Sequence, residues 1–342
     1  MQDTVNVIIP AVKLNDELLK CLKEINKINY SKFITTIVLD SDSNRKLPRL
    51  KYKLKKLVVG KINMSKKRNI AAKKFKSKYI AFIDSDAYPN KNWLKFAVKY
   101  LKKGMGDVIG GPGISFPNEN YKEKICYLSK RSYFVSGYLN FRKYKTKKRY
   151  CDWLEACNLI MERKFFLKYK GMDEKKYTGE DKEFFERVRK KKPDLKVFYS
   201  PDLFIYHKER RMFGFFLQRF VFGVDFINLI KFNSGLKGFQ PILPIVILIS
   251  FFLFLISNIE FNLKILILTA FASLINFLIL LDIKKYIKSL ETLIFTLVTI
   301  NIANIAFALG SISSLFFFGF KKIFVKKIYL YSRSKKVLPS YK

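Results

Sequence analysis

Asp84-Ser85-Asp86 follows the apolar run Tyr79-Ile80-Ala81-Phe82-Ile83. Two carboxylates one residue apart, where a buried strand emerges into a loop, are placed to hold Mg or Mn against a diphosphate. A solvated turn before the next helix is the plain structural alternative. The hydrophobic strand in front favours the chemical reading, because ligands of open α/β sheets bind at the carboxyl ends of strands.

Other residues could join that pair. Asp40 ends the apolar stretch Ile34 to Leu39 and could accept a hydrogen bond from a base edge or a ribose hydroxyl; ordinary turn chemistry is the alternative. Arg68 and Asn69 open a helix where a cation could reach a phosphate, or simply line a solvated face. Glu180-Asp181 stands at a helix start after Gly179. An acidic first turn favours the helix dipole, and one of the two acids could also serve as a general base. Asp181 is the choice for that role, with Glu180 beside it. His207 is the single histidine, and a neutral imidazole after a strand end is a further candidate metal ligand.

The elements that must position these groups follow from periodicity. Val5–Ile9, ended by Pro10, reads as a strand, Asn15–Ile28 as a helix, Ile34–Leu39 as a second strand and Leu57–Val59 as a short third. Lys66–Phe75 reads as a helix, Tyr79–Ile83 as the fourth strand, Asn92–Leu101 as a helix and Val108–Gly110 as the start of another strand. Asn118–Tyr150 is basic and aromatic without clean periodicity. Trp153–Met161 is expected to be a strand and Lys182–Lys190 a helix, followed by short strands at Val197–Tyr199 and Phe204–Tyr206. Strands alternating with helices predict an α/β domain with a mostly parallel sheet. Pro10, Asp40, Asp84 and Asp86 would all lie at the carboxyl ends of its strands.

The remaining third has another character. Residues 211–230 mix Phe with Arg and Gln, as in helices lying in a membrane interface, although an ordinary amphipathic core helix would look similar. Three apolar runs follow, roughly 241–259, 263–281 and 290–320; the first two match the ~20 residues needed to cross a bilayer. The third is long for one span, and Asn301, Asn304 and Gly310 interrupt it. Lys284, Lys285 and Lys288, like the basic tail 321–342, favour the cytoplasm, which both can reach only if the third run turns back. The expected division is 1–210 for the α/β domain, 211–238 for interface helices, 239–320 for the membrane region and 321–342 for the tail.

Composition sets limits. Of 342 residues, 49% are hydrophobic, yet the net charge is +39, so the apolar residues must be segregated. The lysines are scattered instead of lining one short arm, which argues against nucleic acid and fits attraction to anionic headgroups. Cys21, Cys126, Cys151 and Cys157 have no zinc spacing, and disulfides are not expected in a cytosol-facing domain. A strand almost at the first residue leaves no cleavable signal peptide to expect.

Taken in order, these pieces resemble family 2 glycosyltransferases of the GT-A fold (Rossmann-like, with a mostly parallel central sheet). The resemblance runs from about residue 4 to 230. It rests on Val5-Asn6-Val7-Ile8-Ile9-Pro10, the Asp40 strand end, Arg68-Asn69-Ile70-Ala71, Phe82-Ile83-Asp84-Ser85-Asp86, Gly111-Pro112, Asn158, Gly171-Met172-Asp173-Glu174, Gly179-Glu180-Asp181 and His207. Residues 207–223 look like those of membrane-attached, ExoA-like members that build exopolysaccharide or lipid-linked glycans. The resemblance implies a nucleotide-diphosphate sugar donor, UDP- or GDP-linked, a divalent cation and inversion at the anomeric carbon. Pro10, Asp40, Arg68 and Asp84 would bind the donor, with Asp40 on the nucleoside. Asp84, Asp86 and His207 would hold the metal, and Asp181 would deprotonate the acceptor. The Gln-x-x-Arg-Trp signature of processive synthases is not intact, since Arg219 directly follows Gln218 and no Trp comes after; transfer of a single sugar fits better. The implied setting is the cell membrane, multi-pass, with a cytoplasmic catalytic domain and a polyprenyl-diphosphate-linked glycan as acceptor. Transfer to polyprenyl phosphate, or a non-catalytic membrane-bound binding protein, are the competing readings.

Overall fold

The computed structural model describes residues 3–176, 178–225 and 242–316. The chain forms two compact units, Met1–Pro117 with Phe141–Lys208, and Asn118–Asn140 with Glu209–Lys342. The division is thus discontinuous in sequence.

The first unit is built on an eight-stranded sheet. Its strands are β1 (Val5–Pro10), β2 (Phe33–Leu39), β3 (Lys53–Val58), β4 (Tyr79–Ile83), β6 (Val108–Gly110), β8 (Arg149–Tyr150), β9 (Asn158–Glu162) and β10 (Val197–Tyr199). Their order is β3-β2-β1-β4-β9-β6-β10-β8. The β3 to β4 half is parallel throughout, whereas β9 runs antiparallel to both its neighbours. β1 and β4 are buried along their whole length, as central strands covered on both faces must be. Each fully buried Ile, Val or Phe there stabilises the sheet by about 1.5–3 kcal/mol. A polar pair lies amid them: Thr36 Oγ1 donates to Asn6 Oδ1 at 2.8 Å, while Asn6 Nδ2 is buried without a hydrogen-bond partner among the described residues.

Helices α1 (Asp16–Ile25), α2 (Met64–Lys74) and α3 (Trp93–Lys102) connect the strands. Asn15 caps α1 by accepting from Leu18 N, and Asn63 caps α2 by accepting from Lys66 N. A three-stranded sheet joins β5 (Ala87–Pro89), β11 (Ile205–His207) and β7 (Gly113–Ile114), in the order β5-β11-β7.

The structure corrects two local expectations here. The strand expected over Trp153–Met161 begins only at Asn158; the preceding residues form a loop and turn. β3 starts at Lys53: the Lys-rich residues before Leu57 pair with β2 although most of them stay at least partly exposed.

The second unit is helical. It contains α4 (Tyr121–Arg131), α5 (Tyr133–Ser136), α8 (Met212–Val224), α9 (Leu243–Leu255), α10 (Phe261–Ile283) and α11 (Leu290–Phe316), while α6 (Arg163–Lys168) and α7 (Glu180–Lys191) belong to the first unit. Of the apolar helices, Phe261–Tyr286 and Leu290–Ser314 are long and apolar enough to cross a membrane. The first apolar run does not match a span: α9 has 13 residues, ending before Ser257. The third run does not turn back among the described residues. α11 passes unbroken through Asn301, Asn304 and Gly310. Gly310 serves helix contact instead: a Cβ there would lie 2.1 Å from Phe220 O, and one on Gly223 would lie 2.0 Å from Phe307 O. Two glycines thus let α8 and α11 touch backbone to backbone. Of the region expected to lie in the interface, α8 is described; residues 226–241, like the basic tail, lie outside the described residues.

Candidate active site

The acids at the end of β4 meet the histidine through a short strand pair. β5 runs antiparallel to β11, with Ala87 opposite His207, and Lys208 N donates to Asp86 O at 3.1 Å. That register sets His207 beside Asp86. His207 Nε2 lies 3.7 Å from Asp86 Oδ1 and 3.8 Å from Asp84 Oδ2, and one ligand atom of each residue falls within 4.8 Å of the others. These separations are long for hydrogen bonds and suit donors converging on one ion. The donor set, two carboxylates and an imidazole, fits Mg or Mn, with further positions left to phosphate oxygens or water. Asp86 is buried and Asp84 is half-exposed.

Arg68 links this cluster to the start of α7. It projects from α2, is 3% exposed, and donates from Nη2 to Asp84 Oδ1 at 2.9 Å and from Nη1 to Glu180 Oε1 at 3.4 Å. Burial pushes the Asp84 carboxyl up, but the nearby His207 and the Arg68 charge outweigh it and hold it below the usual range. For Glu180 the balance goes the other way. Burial and the Asp181 charge, against the pull of Arg68, push it up to about 7.

Asp181 is held in place by the main chain. Its Oδ1 accepts from Lys182 N at 2.8 Å and its Oδ2 from Ala156 N at 3.3 Å. Burial, helped by Glu155, raises its pKa, while Arg142 opposes the rise. A carboxylate with raised basicity on a fixed helix start is suited to receive a proton. Asp181 therefore shares a field with Glu155, and Glu155 shares one with His207. Gly179, with φ +66°, makes the left-handed turn that lets α7 start here.

The Asn69 side chain explains why the Arg68-Asn69 and Gly171-Met172-Asp173-Glu174 stretches occur together. Its Nδ2 donates to Met172 O at 2.8 Å and to Glu174 Oε1 at 3.0 Å, and its Oδ1 accepts from Met172 N at 3.0 Å. A Cβ on Gly171, whose φ is +65°, would lie 2.3 Å from Asn69 Oδ1. This clamp sets the chain that leads into α7. Asn158 is likewise structural: it accepts from Trp93 Nε1 at 2.9 Å and donates to Gly111 O and Leu203 O.

Pro10 and Asp40 end neighbouring strands, with Pro10 opposite Val38 in the register. Asp40 is ion-paired with Lys67, a residue that the sequence reading passed over. That reading also missed Arg142, Lys143 and Glu155. Lys143 Nζ reaches both oxygens of Glu155 at 2.9 and 2.8 Å, and the Arg142 guanidinium lies 3.9 Å from the centre of the Trp153 ring. Burial would raise Glu155, but Lys143 and Arg142 bring it down to about 2. The visible signal was the density of Lys and Arg before Tyr150; no period tied it to the site. Cys21, Cys126, Cys151 and Cys157 are free.

The raised Glu180 carboxyl has a measurable consequence. An ordinary Glu titrates near 4.5, so between 4.5 and about 7 the folded chain binds a proton that the unfolded chain releases. Protonated Glu180 thus contributes stability that is full below about 4.5 and lost as pH rises through about 7. Glu180→Gln, neutral throughout and still able to meet Arg68, is expected to gain Tm over wild type at pH 8 and to show little gain at pH 4.5, read by thermal unfolding without added cation. The same difference at both pH values would contradict the shift.

Residues 6–169 match the family described as Glycosyl transferase family 2. No match was found among curated proteins. Among solved structures, the mannosyltransferase PcManGT from Pyrobaculum calidifontis, in complex with GDP-Man and Mn2+, is similar over 91% of this chain and 86% of its own, with 15% identity and a TM-score of 0.56. S. aureus TarS is similar over 70% of this chain with 18% identity and a TM-score of 0.42, and the present chain covers 41% of it. The likeness to PcManGT concerns the fold, a GT-A-like mixed α/β architecture. The match over 6–169 takes in most of β1 with Asp40, Arg68, Asp84 and Asp86, and with it residues 6–169 form a Glycosyl transferase family 2 domain.

Proposed function

We propose that the chain moves one sugar from a nucleotide-diphosphate donor to a lipid-linked or polysaccharide acceptor, with inversion, at the cytoplasmic face of a membrane. The observation that carries this reading is the bridge by Arg68 between the Asp84-Asp86-His207 cluster and the Glu180-Asp181 helix start. It supports a donor diphosphate at one end and an acceptor hydroxyl at the other. Asp84, Asp86 and His207 would hold a divalent cation, which supplies positive charge against the leaving diphosphate. The nucleotide-sugar and Mn2+ in PcManGT are ligands of the same classes.

The residues divide the work. Arg68, buried and already oriented, adds a fixed cation beside the leaving group, so little reorganisation is needed as charge develops. Asp181 accepts the proton of the incoming hydroxyl on the opposite face of the sugar. As the bond to the acceptor oxygen forms, the bond from the anomeric carbon to the diphosphate oxygen breaks, and the electron pair leaves with the nucleoside diphosphate. The two long apolar helices, α10 with its side chains almost wholly exposed, would sit in lipid and bring this site to a polyprenyl-diphosphate-linked acceptor.

The test is to incubate detergent-solubilised protein with a panel of nucleotide sugars and Mn2+, and to measure nucleoside diphosphate release. Release from one donor class, lost on chelation, is expected. No hydrolysis or transfer with any common sugar nucleotide would remove the proposal and favour a binding role.

A further inference from the structure

Helix α8 carries one charged residue among its 13, Arg219. It stands on the side of α8 that meets α11. Gly223, one turn further on, is the close-contact glycine against Phe307 O, and Arg219 Cζ lies 5.0 Å from the centre of the Phe307 ring. Arg219 is half-buried; its Nε is closed to solvent and has no hydrogen-bond partner among the described residues. A carboxylate is the usual answer to a cation in such a place. Every Asp and Glu of the sequence lies among the described residues, yet none of them pairs with Arg219. In the same unit Glu209 pairs with Lys130, Asp282 with Lys285 and Glu123 with Arg211. The apolar surroundings pull the Arg219 guanidinium down to about 10, with no neighbouring charge to hold it up, and it stays charged at neutral pH.

A cation so placed is costly without an anion, and the Phe307 face offsets only part of that cost. The counter-charge has to come from outside the chain. Phe215, Phe216, Phe220 and Phe222 surround Arg219 along α8, and α11 is one of the two helices long and apolar enough to cross a membrane. An anion reaches such a place best on an apolar body, and the guanidinium fork meets phosphate oxygens in pairs. We propose that Arg219 is a binding site for the phosphate of a lipid, either the diphosphate of a lipid-linked acceptor or the headgroup of an anionic phospholipid. The site extends the acceptor reading above without depending on the donor. Its test uses no sugar nucleotide, so the two can fail separately.

The experiment is thermal unfolding of the full chain in dodecyl maltoside with about 0.5 M NaCl, which screens attraction to the scattered surface lysines. Farnesyl diphosphate, phosphatidylglycerol, phosphatidylcholine or inorganic pyrophosphate is added. At least one of the two anionic lipids is expected to raise Tm at least about 3 °C more than phosphatidylcholine does, and more than pyrophosphate does. The larger gain names the source, farnesyl diphosphate for the acceptor and phosphatidylglycerol for the bulk membrane. Arg219→Gln removes one of 66 Lys and Arg, so surface attraction is nearly unchanged. It is expected to lose the lipid gain, yet to melt no lower than wild type without lipid, because it deletes an uncompensated cation. Arg219→Lys, which keeps the charge without the fork, is expected to retain part of the gain. An equal lipid gain in Arg219→Gln and wild type would overturn the inference. So would a wild-type gain no larger than that with phosphatidylcholine or pyrophosphate, a result that needs no variant to fold.

Discussion

Asp181→Asn is expected to lower transfer by about 10²–10⁴-fold while leaving Mn2+-dependent nucleotide binding close to wild type. The asparagine oxygen can still accept from Lys182 N, so the helix start keeps its geometry, but the amide cannot take up a proton. Because burial holds the Asp181 carboxyl above its ordinary range, wild-type turnover is also expected to fall on the acid side at a higher pH than a surface aspartate would give. The check is steady-state transfer beside calorimetric binding of the nucleoside diphosphate. Full turnover in the variant would take the base role from Asp181, and Glu180, pushed up to about 7 next to it, would be the remaining candidate.

Asp86→Ala is expected to act on the other end of the site. Asp86 is buried, faces His207 at 3.7 Å and belongs to the one group of three possible metal-ligating residues among the described residues. Removing it should weaken Mn2+-dependent nucleotide binding by at least about 10–100-fold, since even outer partners of metal ligands matter that much. Titration with and without Mn2+ separates this loss from a general one: the two curves should converge in the variant. An unchanged difference between them would place the cation elsewhere.

Much of this site was legible because its residues sit at strand ends, where apolar runs stop abruptly. Ile37-Val38-Leu39 before Asp40 and Phe82-Ile83 before Asp84 are such signals, and they mark buried parallel strands directly. Other parts were hidden for physical reasons. β5 and β11 have three residues each, too few for a period to emerge, yet their pairing is what seats His207 beside Asp86. β9 looked longer because Trp153, Leu154 and Ala156 are apolar; they pack as a loop, next to the backbone that holds Asp181. Lys67 looked like one more surface lysine in a basic helix, and only the fold reveals that it is buried on Asp40.

In the helical unit, apolar length was visible and its use was not. Asn301 and Gly310 look like breaks in a hydrophobic run. In α11 Asn301 Nδ2 donates to Asn276 Oδ1 at 2.8 Å, and Gly310 lets Phe220 approach. Both are partners for a neighbouring helix, so the run continues. The segment Asn118–Tyr150 lacked a period because α4, α5, a 3-10 turn and β8 share it; within α4 alone, Ile125, Cys126, Leu128 and Ser129 are buried.

The central claim is that acids far apart in sequence gather around one cation-held donor, and anomalous diffraction from a crystal grown with Mn2+ and UDP tests it most directly. The account predicts a manganese peak among Asp84, Asp86 and His207, the diphosphate against it, the nucleoside at Asp40 and the Asp181 carboxylate facing the pocket that the sugar would fill. A manganese peak away from Asp86, or a nucleotide bound on a surface that Asp181 does not share, would contradict it.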